Sequence, residues 1–320
     1  MRRSDHDVTD SIRTTDPTAV RDEVARIYVD LYGGRAPQLI RRLFVDVARF
    51  YAGRDPRYYA CDTGYHDIQH VLDVTLAMAR MMDGYERSRR NGTPPLPPEI
   101  FALGLVAALF HDFGYLRRRN DVKHQYGAEY TLTHVSRGAK FLRHYLSQIG
   151  LGRLGKSAGA LLHYTGYERA VESIRLTDPL LRRLGHILGT ADIIAQMSDR
   201  CYLEKCRDRL YPEFVLGGIA QRKLPDGTVQ TRYRSGSELV RLTPDFYNTA
   251  IHRLEVKLAR AYKYAEHHFG GQNLYLEEID KSIRHAKSLA NDSPDDVLRR
   301  SPPWTLPPGI RPYPQGLAYQ

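Results

Sequence analysis

His70, the adjacent pair His111 and Asp112, and Asp192 are imidazoles and carboxylates set into otherwise apolar stretches, and His66 lies four residues ahead of the first of them. In "GYHDIQHVLDVTLAMARMM", His66, His70, Asp73 and Ala77 follow the four-three-four spacing that stacks side chains on one face of a helix. Ile68, Val71, Leu72, Thr75, Ala79 and Met82 gather on the other side, so a narrow polar stripe runs along a helix that otherwise reads as buried. "IFALGLVAALFHD" is apolar without a break from Ile100 to Phe110 before His111 and Asp112. Such a helix belongs in a core, where an imidazole and a carboxylate need compensation because an unpaired buried charge is costly. Asp192 in "GTADII", His134 and His163 interrupt apolar helical stretches in the same way. Imidazoles and carboxylates without thiolate suit zinc, manganese or iron, and the carboxylates also tolerate magnesium. On a regular helix His111 and Asp112 cannot point the same way, so one can complete a first cation site while the aspartate bridges to a second. For His134 and His163 the competing reading is that of ordinary core histidines satisfied by hydrogen bonds.

The elements that must position these residues read as helices. "VRDEVARIYVDLYGG" and "APQLIRRLFVDVARFYAG" are amphipathic, and Pro97-Pro98-Glu99 opens the helix leading to His111 as proline in a first turn does. Further helices are expected over "VKHQYGAEYTLTHVSRGAKFLRHYL", "KSAGALLHYTGY", "DPLLRRLGHILGTADIIAQMSDRCYLEKCRDRL", "TPDFYNTAIHRLEVKLARAYKYAEHHF" and "LYLEEIDKSIRHAKSLA". A Pro-Asp-Gly turn between strand-friendly residues, in "RKLPDGTVQTRYRSG", fits a small hairpin. The expected fold class is all-α: a loose polar segment over 1–20, a helical core over 21–210, a helical extension with the hairpin over 211–290, and an extended proline-rich tail over 291–320. Tyr247, Ile251, Leu254, Leu258, Ala261 and Ala265 repeat at four-three-four-three-four, which suits core packing or the seam of a homodimer.

With 320 residues and 42% hydrophobic content the chain can bury a substantial core. It lacks a run of about 18 apolar residues, so no membrane span is expected, and its polar start does not read as a secretory signal. Three cysteines without a CxxC pair exclude a thiolate zinc site and a disulfide framework, which points to the reducing cytoplasm. A formal charge of +10 points to acidic company. No nucleic-acid-binding signature accompanies the charge, so a small phosphorylated molecule is the expected partner rather than nucleic acid. Arg117, Arg118 and Arg119 follow directly on the His111–Asp112 pair, either as phosphate-steering charge at a pocket mouth or as a solvated loop.

The order His70, His111-Asp112, Asp192 on successive helices resembles the HD superfamily of metal-dependent phosphohydrolases. "YHDIQHVLDV" is similar to the Y-H-N-x-x-H-x-x-D-V signature of cyclic nucleotide phosphodiesterases, and "LFHDFG" and "GTADI" resemble their later blocks. The resemblance runs from about Tyr65 to Asp199, and it implies an HD-type helical bundle. It also implies that His70, His111, Asp112 and Asp192 hold a first divalent cation and that Asp112 bridges to a second, with a hydroxide between the cations attacking phosphorus. His66 matches the general acid that protonates the leaving oxygen. A cyclic nucleotide is the implied substrate. The chain departs from the pattern at Asp67, where those enzymes have asparagine, and in "HDFGYLRRRN", which lacks the His-Pro-Gly segment that usually follows. "HVSRGAKFL" around His134, followed by His163, is similar to HD enzymes that place extra histidines on the second metal. Some of these are di-iron oxygenases, which is one alternative reading; a non-catalytic nucleotide sensor is the other.

Overall fold

Local signals set most helix boundaries in the computed structural model, which describes residues 2–224, 226–289, 294–314 and 317. Helix α1 (Pro17–Tyr32) starts where the Asp16 carboxylate accepts the Thr18 N–H at 2.8 Å, with proline in the first helical position, and stops at Gly33 with φ 71°. Helix α2 (Gln38–Tyr51) follows, and then α3 (Ile68–Ser88), whose first turn is capped by Asp67 accepting the His70 N–H at 3.0 Å. Next come α4 (Pro98–Leu109), α5 (His134–Gln148), α6 (Gly155–Leu162) and α7 (Pro179–Met197), the last capped by Asp178. Beyond α7 lie α8 (Tyr202–Lys205), a π-helical turn over Cys206–Leu210, and α9 (Tyr211–Leu216). Strands β1 (Gln221–Lys223) and β2 (Val229–Thr231) pair antiparallel, Gln221 opposite Thr231. Helices α10 (Gly236–Arg241), α11 (Thr243–His252), α12 (Lys263–His268), α13 (Leu274–Ser288) and α14 (Pro294–Val297) complete the described chain. Apart from that hairpin the architecture is all-α, as expected from the sequence.

Helix α3 is the axis of the bundle, buried over most of its circumference and packed by α1, α4, α7 and α12. Apolar side chains from both the expected core and the expected extension merge into one continuous cluster around it. The polar stripe of α3 therefore faces polar groups inside the protein rather than water.

Several expectations change. The first residues are tied down: Asp7 accepts the Ser11 and Ile12 N–H groups at 3.1 and 2.8 Å and pairs with Arg80 of α3 at 2.6 Å, both side chains being buried. Polar composition reads as loose because it does not reveal that its partner is a buried arginine. The helix expected through 243–269 is broken after a π-helical turn over Arg253–Lys257, with Ala259 and Arg260 in left-handed conformation at φ 51° and 57°. This break turns Leu254, Leu258, Ala261 and Ala265 into the core, so that part of the seam is core packing. The segment before α5 is not helical from Val122; it holds one 3-10 turn over Gly127–Tyr130. Pro225 of the Pro-Asp-Gly turn, and residues 291–293, 315–316 and 318–320 of the proline-rich tail, lie outside the described residues. Among the described residues no helix is long and apolar enough to cross a membrane.

Asp7→Ala leaves the Arg80 charge buried without its carboxylate and should cost about 3–5 kcal/mol of stability, read as a lowered urea midpoint. Burial opposes ionisation of Asp7, but Arg80 and the loop N–H groups outweigh it and hold its pKa below the ordinary value. The wild-type advantage over Asp7→Ala should therefore be full above the unfolded value of about 3.9 and shrink as pH falls through the lower folded one. An advantage that grows on acidification would contradict the pairing.

Candidate metal centre

Helix α4 ends just before the residues it delivers. Phe110 leaves helical geometry at φ −120°, ψ 12°, and His111 and Asp112 sit in the turn that precedes a 3-10 turn over Phe113–Tyr115. Released from the ~100° offset that a helix imposes on neighbours, both side chains reach the same space. The His111 Nδ1–H donates to the Ala108 carbonyl at 2.8 Å, which leaves Nε2 as the nitrogen facing inward. His70 arrives from the first turn of α3 and Asp192 from α7. His70 Nε2 lies 3.2 Å from His111 Nε2, 3.3 Å from Asp112 Oδ2 and 3.4 Å from Asp192 Oδ1. His111 Nε2 is 3.2 Å from Asp112 Oδ2 and 3.8 Å from Asp192 Oδ1. Cation–ligand bonds of about 2.0–2.2 Å place neighbouring ligands roughly 3.0–3.6 Å apart, so most of these separations are edges of a coordination polyhedron. Asp112 is 3% exposed, and its Oδ2 has no hydrogen-bond partner among the described residues. A buried, orphaned carboxylate oxygen beside two imidazole nitrogens fits a divalent cation.

The other Asp112 oxygen faces elsewhere. Its Oδ1 lies 3.6 Å from Nε2 of His134, whose Nδ1–H donates to the Thr131 carbonyl at 2.7 Å. This approach depends on Gly114: a Cβ there would lie 1.7 Å from the His134 carbonyl oxygen, so only glycine lets the start of α5 rest on the His111–Asp112 turn. One carboxylate thus stands between two sets of imidazole nitrogens.

Burial opposes the charged form of His70, but Asp112 and Asp192 outweigh it and raise its pKa to about 10. Asp112 is held well below the carboxylate range, with burial opposing and the His111 and His70 imidazoles prevailing. Burial lowers the pKa of His134 against the pull of Asp112, which favours the neutral, lone-pair-bearing ring.

Beside this cluster His66, with its side chain 17% exposed, places Nδ1 2.5 Å from Oε2 of the buried Glu213. Burial depresses the His66 pKa, but Glu213 outweighs it and the result is raised. The other Glu213 oxygen accepts the Tyr65 N–H at 2.6 Å. Tyr115 stacks on both His66 and His134, with ring centroids 4.5 and 4.3 Å apart. Gln196 donates to the Asp192 carbonyl at 3.1 Å and accepts from the Tyr65 hydroxyl at 3.0 Å, which steadies the last turn of α7.

Of the sequence candidates, the structure brings together His70, His111, Asp112, Asp192 and His134, with His66 adjacent. His66 does so from the loop before α3 and not from the helix itself. His163 ends α6 with Nδ1 buried and without a hydrogen-bond partner among the described residues, and burial with Arg169 and Arg143 lowers its pKa against the pull of Glu168. Arg117 and Arg118 both make contacts within the protein. Arg117 is held by Asp62 at 3.1 Å and by the His124 carbonyl, and Arg118 lies over the Tyr58 ring. Burial and Asp199 push the pKa of Asp73 up to about 7 against Lys205. Sequence reasoning missed Glu213, Tyr115 and Gln196. A glutamate flanked by Pro212 and Phe214 was the only hint at Glu213.

No protein-family model matches the chain, and no curated protein matches its sequence. Among solved structures it is similar to the phosphodiesterase domain of Salpingoeca rosetta rhodopsin phosphodiesterase. The two share 14% identity over 92% of this chain and 93% of that one, with a TM-score of 0.55. At that identity the likeness is one of fold.

His111→Ala removes a nitrogen from the centre of the cluster and should weaken zinc or manganese binding by at least about a hundredfold, since even outer partners of ligands cost about 10–100-fold. Equilibrium dialysis with metal analysis checks it; unchanged affinity would mean that these groups do not hold a cation.

Proposed function

We propose that the chain is a metal-dependent phosphodiesterase that hydrolyses a small phosphodiester, a cyclic nucleotide above others. The observation that carries this reading is the split environment of Asp112, one oxygen among His70, His111 and Asp192 and the other against His134, with an independent His66–Glu213 pair alongside. In this reading His70, His111, Asp112 and Asp192 hold one divalent cation, and Asp112 and His134 hold a second. Zinc, manganese, magnesium or iron at these positions would supply a nucleophilic water at neutral pH and offset charge on the phosphoryl oxygens.

The protein's own part is orientation and proton delivery. Glu213 fixes Nδ1 of His66 and favours its protonated form, which leaves Nε2–H free to protonate the leaving oxygen. Tyr115 braces the ring by stacking, and the N–H groups of Tyr65 and His66 on Glu213 Oε1 hold the carboxylate in place. Hydrolysis of an ester with a poor leaving group needs such a donor. The three cysteines are all buried and free, in keeping with a reducing cytoplasm as the working compartment. The nitrogen of His134 on the second position favours one rival reading, a di-iron oxygenase; that enzyme would purify with iron and consume dioxygen.

Asp112→Ala should abolish hydrolysis of cyclic mononucleotides and release at least one cation, with the helical circular dichroism retained; normal turnover in that variant would remove the two-cation reading. His66→Ala should slow a cyclic nucleotide by about 10²–10⁴-fold and a nitrophenyl ester far less. Because Glu213 raises the His66 pKa, Glu213→Gln should move the alkaline fall of the pH–rate profile to lower pH. Equal losses on both esters, or a profile that shifts upward, would rule out His66 as the acid.

A further inference from the structure

Between the segment that follows α6 and the start of α7 lies a cleft of about 470 Å³ that shares no lining residue with the metal centre. Its volume falls within the roughly 300–1,000 Å³ of small-molecule sites. Tyr164, Ile174 and Leu176 form an apolar floor. Val256 lines the same cleft while remaining 59% exposed, an aliphatic surface left without cover. The rim is cationic. Lys257 is neutralised by Glu172 at 2.5 Å, but Arg175 and Arg182 form no ion pair among the described residues. The hydrogen bond of Arg182 goes to the Leu176 carbonyl at 3.4 Å, which leaves its charge uncompensated. His186 contributes a ring edge-on to Tyr164 at 5.5 Å, and burial with the neighbouring Arg183 and Arg182 lowers its pKa, so it enters as a neutral surface. Two unopposed guanidinium groups match the charge of about −1.5 to −2 on a phosphate monoester, which they can bind in a bidentate manner.

We propose that this cleft is a second binding site, for an organic phosphate the size of a mononucleotide. Its phosphate meets Arg175 and Arg182, and its ring body lies on the floor of Tyr164, Ile174 and Leu176 against Val256. The proposal is independent of the reading of the metal centre.

Adenosine 5′-monophosphate titrated into the whole protein by calorimetry is the test, with adenosine and inorganic phosphate as separate arms. The nucleotide should bind the wild type and Asp112→Ala alike. Its affinity should fall at least tenfold in the Arg175→Ala/Arg182→Ala double variant and several-fold in Val256→Glu; all three positions are exposed, so the fold should persist. Rising salt should weaken binding, and each separate half should bind at least tenfold more weakly than the nucleotide. Binding lost in Asp112→Ala but kept in the arginine variant would place the nucleotide at the metal centre and overturn the proposal. Inorganic phosphate binding as tightly as the nucleotide, or no binding at millimolar concentration, would overturn it as well.

Discussion

A carboxylate buried beside the end of an apolar helix is the constraint around which the rest of this structure is arranged. Asp112 has left water almost completely, and an isolated ionised carboxylate in that position would be prohibitively costly. Its compensation comes from three imidazoles carried on separate elements: His70 from α3, His111 from its own turn and His134 from the start of α5. Each contact fixes something larger. His70 ties the turn to the central helix, and His134 ties it to α5 through the space that Gly114 leaves open. The helix that delivers the pair must stop before it, because continued helical geometry would send His111 and Asp112 in different directions.

The loop that carries His66 is held from the far end of the chain. Asp67 caps α3, lies 3.7 Å from Arg209 and accepts from the Thr305 hydroxyl. Arg209 in turn donates to the Pro302 and Pro303 carbonyls at 2.9 Å each and stands over Trp304. Glu213, just beyond the π-helical turn, completes the support by engaging His66 itself. The region after Leu210, which reads from the sequence as an extension, thus contributes directly to the geometry beside the cluster. The described part of the proline-rich tail lies against the same loop, where Tyr313 donates to the Asp208 carbonyl at 2.7 Å. The likeness to the phosphodiesterase domain spans nearly the whole chain rather than only the stretch from Tyr65 to Asp199 that carries the sequence resemblance.

Buried polar pairs recur through the bundle and do the work of fixing how helices sit on α3. Asp7 meets Arg80, and Asp83 meets His268 of α12 at 2.5 Å. Lys205 reaches Asp199 at 2.5 Å and Gln69 at 3.0 Å. Such pairs add little net stability compared with apolar packing, but each is costly to break from one side. A helix set in a slightly different register would orphan them.

Periodicity and residue chemistry were enough to identify the all-α class, the buried character of α3 and α4, and the candidates His70, His111, Asp112 and Asp192. Those features are local: helical spacing sorts apolar from polar faces, and a charge set into an apolar run announces that it needs a partner. Which partner it finds is a matter of distance through space. His134 and His163 look alike in sequence, yet one faces Asp112 and the other ends α6 with its Nδ1 buried and unpartnered among the described residues. Arg117 follows closely on the His111–Asp112 turn in sequence but is taken up by Asp62, while Glu213, which shows almost nothing in sequence, lies against His66. The chain alone determined which residues could do chemistry; only tertiary packing decided which of them meet, because pairing between buried groups depends on contacts that no local pattern records.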